Sequence, residues 1–166
     1  VNDTPPAVNG LSGSTTASVL GNDTLGGVAV TISTVTLTPG AAPTPASGSI
    51  LMNADGTITV APGTTAGTYI YSYTICEVAF PTNCDTATAT VTVTAPLIDA
   101  VADAPPAVNG STGATTASVL ANDTLNGAPV NPAAITLTPG TAPAPAAGSI
   151  TMNANGTITV APGTAA

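Results

Sequence analysis

The sequence predicts an all-β protein, β-sandwich domains in tandem along an extended rod. Residues 1–66 return at residues 101–166 without a gap, 46 of the 66 aligned positions being identical. A fixed period in sequence implies a fixed unit in space. A unit of roughly 100 residues suits a small sandwich and is too long for a helical solenoid repeat. Short runs rich in Thr, Val and Ile are separated by Gly, Pro, Asn and Asp clusters, and no helical period is present.

Strands are expected at residues 15–20, 30–38, 48–52, 57–60, 68–76 and 85–94, with a possible edge strand near residues 7–10. Six or seven short strands make an Ig-like count. Between two apolar runs, Asn53-Ala54-Asp55-Gly56-Thr57 carries the Asp-Gly pair that favours a tight hairpin, because both residues tolerate positive φ. The second copy has Asn155-Gly156 there, so Asp55 serves backbone geometry rather than chemistry.

The last two strands can be read face by face. Tyr69, Tyr71, Tyr73 and Ile75 alternate with Ile70, Ser72, Thr74 and Cys76, while Ala87, Ala89, Val91 and Val93 alternate with Thr86, Thr88, Thr90 and Thr92. Pairing them as a hairpin sets tyrosines over small alanines on the core side and turns both cysteines outward. The tyrosine stripe is read as core packing, a sugar-stacking platform being the alternative.

Composition excludes whole classes of function. The chain has no Lys, Arg or His against eight acidic residues. Phosphate neutralisation needs cations, so nucleic-acid binding is excluded. The usual general base, Schiff-base amine and imidazole metal ligand are missing too, and no enzyme activity is expected. Each carboxylate must meet water, a backbone N–H or a bound cation. Hydrophobic residues make up 43%, but with one Phe, three Tyr and no Trp the core is built of small side chains and benefits from a staple. Cys76 and Cys84 flank a short loop, and a disulfide between them would contribute about 2–3 kcal/mol under the chain-entropy model. It points to an oxidising, extracellular compartment. No apolar run approaches a membrane span. The chain opens at Val1 inside a repeat without a signal peptide, so export signals are expected elsewhere in a parent protein.

Domain boundaries are expected at 1–97, complete with its disulfide hairpin, and 98–166, which lacks counterparts of the last two strands. Trimming from a longer array is the preferred explanation, strand addition from a neighbour the other. Between the copies, Pro105-Pro106 repeats Pro5-Pro6 and predicts a stiff, extended connection.

With TTASVLANDTLNG, the NADGTITVAPGT hairpin, GTYIYSYTICEVAFPTNCDTATATVTV and the 100-residue period in view, the chain resembles the repeats of giant bacterial surface adhesins of the SprB type. Those are the mobile adhesins of Bacteroidota gliding motility, exported by type 9 secretion. More broadly it is similar to cadherin-like and Ig-like tandem repeats of bacterial adhesins. The resemblance implies a cell-surface location and, as partners, neighbouring repeats, the outer-membrane secretion and motility machinery, and a surface polysaccharide or substratum. It implies calcium as a possible cofactor, with Asp3, Asp23, Asp99, Asp103 and Asp123 as candidate ligands, although Leu25 and Leu125 stand where many relatives carry a further acid. It also implies O-glycosylation at Asp-Thr-apolar triplets, making Thr24, Thr86 and Thr124 the candidates.

Three functions compete. The first is a non-catalytic stalk that projects an adhesive tip from the cell surface. The second is a polysaccharide-binding module acting through many weak copies. The third is calcium-dependent self-association.

Overall fold

The computed structural model describes residues 1–165, and the protein is all-β. It divides into two compact units, Val1–Pro96 and Leu97–Ala166.

Unit 1 holds nine strands: β1 (Val8–Asn9), β2 (Ser14–Thr15), β3 (Thr24–Leu25), β4 (Val28–Ala29), β5 (Val35–Pro39), β6 (Ile50–Met52), β7 (Ile58–Val60), β8 (Gly67–Glu77) and β9 (Cys84–Thr94). One sheet runs β1-β9-β8-β5 and a second β2-β7-β6, with β3 and β4 as a small separate ribbon. The long hairpin β8–β9 dominates because its alternating sequence presents one apolar face along its whole length. Its register sets Tyr71 opposite Ala89 and Tyr73 opposite Ala87, and all four are buried. The facing sheet contributes Ile50, Ile58 and Val60, each no more than 1% exposed. Large tyrosines over small alanines leave room for these side chains, and one continuous core results.

The hairpin expected at residues 53–57 forms with a different turn. Only Gly56 takes positive φ, at 81°. The Gly56 amide donates to the Asn53 carbonyl at 3.0 Å and the Asn53 amide to Thr57 at 2.8 Å, a type I turn closed by a glycine bulge rather than a two-residue loop. Asp55 stays at negative φ because its carboxylate has a better use, accepting both the amide and the hydroxyl of Thr57 at 3.0 and 2.7 Å.

Two expected strands lose most of their length. At 15–20 the strand stops at Thr15 and a 3-10 turn covers Val19–Asn22, because the Ser18 hydroxyl caps the Leu20 amide and donates to the Asp55 carbonyl at 2.7 Å. At 30–38 only Val35–Pro39 is strand. Thr31 and Thr34 close a turn first, the Thr34 hydroxyl accepting from the Thr31 amide and donating to its carbonyl.

Unit 2 holds β10 (Ile98–Asp99), β11 (Ala114–Ser118), β12 (Thr124–Leu125), β13 (Ala128–Pro129), β14 (Ile150–Met152) and β15 (Thr157–Val160), with a 3-10 turn at Pro132–Ala134. The sheet β11-β15-β14 repeats β2-β7-β6. The ribbon gains a strand, since β10 pairs antiparallel with β12. Ile98–Asp99, in the stretch expected to be a stiff, extended connection, is thus a strand of unit 2. Asn126 secures it: its amide donates to the Leu97 carbonyl at 2.7 Å, and its side-chain oxygen accepts from the Leu97 amide at 2.9 Å. Asn126 sits at φ 53°, where unit 1 has Gly26 at 57°. Asn is among the few residues that tolerate this region.

Candidate functional site

Where the sheets of unit 1 meet near its N-terminal segment, three polar side chains converge. Asp3 is carried in by a parallel bridge to Ala89, with its amide donating to Thr88 and its carbonyl accepting from Thr90, both at 2.9 Å. Asp23 follows the 3-10 turn and is 2% exposed. Tyr73 reaches both from β8, its hydroxyl lying 2.7 Å from Asp3 Oδ2 and 3.1 Å from Asp23 Oδ2. A phenol has one proton to donate and ionised carboxylates only accept, so two of them around one hydroxyl compete. Burial and the neighbouring Asp23 charge push the Asp3 carboxyl above its ordinary range, against the opposing hydrogen bond from Tyr73. The Tyr73 hydroxyl is likewise held far above its usual value by burial and by Asp3. This site favours a held proton and a fixed side chain.

The second Asp23 oxygen accepts from the Val1 nitrogen. In unit 2 the Val101 amide donates to Asp123 Oδ1 at 2.7 Å. The backbone nitrogen at the same repeat position thus meets the Asp carboxylate in both copies.

Of the five candidate calcium ligands, Asp3 and Asp23 come together, Asp123 is buried, and Asp99 and Asp103 are exposed. Among the described residues no group of three or more acidic or cysteine side chains gathers as metal ligands. Calcium takes about six to eight oxygen ligands. Both Asp23 oxygens and one of Asp3 accept hydrogen bonds.

The glycosylation candidates are placed differently. Thr24 is exposed on a ribbon edge, whereas Thr124 is half-buried in the middle strand of its sheet. Thr86 is exposed, and its hydroxyl shares a hydrogen bond with Thr74 at 3.0 Å. Cys76 and Cys84 lie directly opposite in the β8–β9 register and are disulfide-bonded, with Cα atoms 4.1 Å apart.

Unit 2 carries an open cleft of about 590 Å³ whose walls include Val108, Ile150, Ile158 and Val160. Their counterparts in unit 1 are the buried Val8, Ile50, Ile58 and Val60. Sequence reasoning placed Tyr73 in the core but missed its hydroxyl's partners. A signal was present, since Asp23 and Asp123 lie in an Asn-Asp-Thr-Leu stretch kept in both copies. The chain matches no family model, no curated protein and no solved structure.

Proposed function

We propose that the chain is a non-catalytic structural repeat from a large exported surface filament, forming a stiff stalk for adhesion and gliding motility. One observation supports this reading above the others: what the two copies share is hydrogen bonding that fixes backbone. Asn155 repeats both Asp55 contacts to its threonine, at 3.1 and 2.8 Å. Ser118 repeats the Ser18 bond across to the hairpin at 2.8 Å, and Thr164 repeats the Thr64 bond to its turn at 2.6 Å. The one substitution among these contacts, Asp55 to Asn155, keeps the geometry and discards a charge. The buried Asp–Tyr cluster fits the same role, because both carboxylates are spent on holding Tyr73 and the segment around Asp3.

A disulfide closing an exposed hairpin end suits an oxidising, extracellular setting. Absence of Lys and Arg leaves trypsin-like proteases without a site, a useful property for a surface protein. Small-angle scattering on a chain of several repeats is the test. A maximum dimension growing in proportion to repeat number is expected; a compact particle would rule the stalk out.

A further inference from the structure

We propose that a groove present in each unit binds a lysine side chain from a basic segment of a partner protein. In unit 1 its lining includes Asp3, Pro5, Pro6, Val19 and Asn22. The same positions a hundred residues on, Asp103, Pro105, Pro106, Val119 and Asn122 among them, line a groove of the same volume in unit 2, about 260 Å³. The two linings differ only at Thr4 against Ala104 and Gly21 against Ala121. A Cβ at Gly21 would meet nothing within 4 Å, so the alanine of unit 2 leaves the groove open. The turn that carries Val19 is set alike in both copies, Ser18 and Ser118 each capping the leucine amide two residues on, at 3.3 and 3.2 Å. Unit 1 has this groove with β8 and β9 in place, and unit 2 has it with Ile98–Asp99 docked ahead of it. Neither neighbouring element therefore creates or fills it.

The chemistry of the lining selects the occupant. Prolines bring no N–H. The Asn22 side chain donates to the Asn2 carbonyl at 3.4 Å and Asn122 to the Ala102 carbonyl at 3.5 Å, which leaves each amide oxygen to accept. With an aspartate in each copy, the groove offers acceptors and calls for donors. An ammonium has three donors and no acceptor. The chain has a net charge of −8 and no Lys or Arg, so the cation must come from another molecule. Proline rings and the Val19 methyls suit the methylene stem of a long cationic side chain. Tyr73 takes Asp3 Oδ2, so the two-pronged carboxylate that an arginine fork prefers is not on offer, and a single ammonium fits better. One such groove in every unit lets a partner with several lysines gain from many weak contacts. This inference does not rest on the stalk reading, since a rod and a compact particle would carry the same grooves.

The probe is an acetylated and amidated Gly-Lys-Gly-Lys-Gly peptide, titrated into the full 166-residue chain and followed by methyl NMR. Saturable shifts are expected at Val19 and Val119, with none at the core residue Val91. Asp103→Asn should weaken binding at Val119 by about fivefold or more and leave Val19 unchanged. Asp3→Asn should do the reverse, and the unmutated unit serves as the reference within each molecule. Because Asp103 is exposed and Asp3 is tied to Tyr73, the Asp103 variant keeps the test valid even if the Asp3 variant loosens unit 1. Binding should also weaken severalfold between about 50 and 500 mM salt. No saturation by about 10 mM peptide overturns the proposal. So do shifts that survive both substitutions, tighter binding of the matching arginine peptide, or the same shifts with a neutral methyl glucoside. Scattering from the multi-repeat chain is untouched by any of these results, so the stalk reading and this one fail separately.

Discussion

Val-Thr-Leu-Thr-Pro at residues 35–39 is a β-strand, while Ile-Thr-Leu-Thr-Pro at residues 135–139 belongs to none. One methylene in five side chains cannot account for that. The first segment has β8 beside it, five residues in register from Val35 against Glu77 to Pro39 against Tyr73, and among the described residues the second has no such neighbour. Val8–Asn9 and residues 108–109 differ in the same way, the former lying along β9. Strand formation here follows from the partner rather than from intrinsic preference. Local turns behave in the opposite manner: the 53–57 and 153–157 hairpins carry matching hydrogen bonds with or without β8 and β9 nearby.

Mutations can test how far this contrast extends. The largest effect is expected from Tyr73→Ala, which empties the core of unit 1 and should cost about 3–5 kcal/mol; Tyr73→Phe isolates the hydroxyl at about 1–3 kcal/mol. Amide hydrogen exchange should show both losses in unit 1 and neither in unit 2. Next, Ile58→Ala should cost about 2–5 kcal/mol, and Ile158→Ala less than half as much, because water already reaches that side chain. Equal costs, measured by denaturant unfolding of the full chain, would mean that the two cores are equivalent after all.

A double Cys76→Ser, Cys84→Ser chain should lose about 2–3 kcal/mol in unit 1 only. The smallest effect is electrostatic. The Thr57 hydroxyl and amide hold the Asp55 carboxyl below its ordinary range, so its contribution is present above the unfolded value and is lost as pH falls through the folded one. Asp3 works with the opposite sign. Its raised value means that its contribution is complete below the unfolded value and is lost as pH rises through the folded one. Melting of unit 1 in mild acid should therefore rise first through Asp3 and decline later through Asp55. Asp55→Asn should remove the later decline at that hairpin and make it behave as Asn155 does.

Much of this was legible in the sequence, and what was not has a common cause. The faces of β8 and β9, the burial of Tyr71 and Tyr73 and the Cys76–Cys84 pairing all follow from period-two alternation, which is a local property. The loss of strand at 15–20 depends on Ser18 reaching the carbonyl of Asp55, 37 residues away. The docking of Ile98–Asp99 on β12 depends on Asn126, about thirty residues downstream. The convergence of Asp3 and Asp23 on one phenol joins three distant segments. None of these contacts leaves a periodic trace. The stretch expected to be a stiff, extended connection is in part a strand for the same reason: its partner lies far along the chain.

The parallel pairing of β1 with β9 has a mechanical consequence. Val8 lies opposite Val93 and Asn9 opposite Thr94, with Asp3 bridged to Ala89 further along. When the two ends of unit 1 are pulled apart, these strands slide lengthwise past each other, so their hydrogen bonds share the load instead of opening one at a time. Single-molecule stretching should accordingly find a high rupture force for unit 1, and replacing Val8 with proline, which removes a backbone donor from that seam, should lower it.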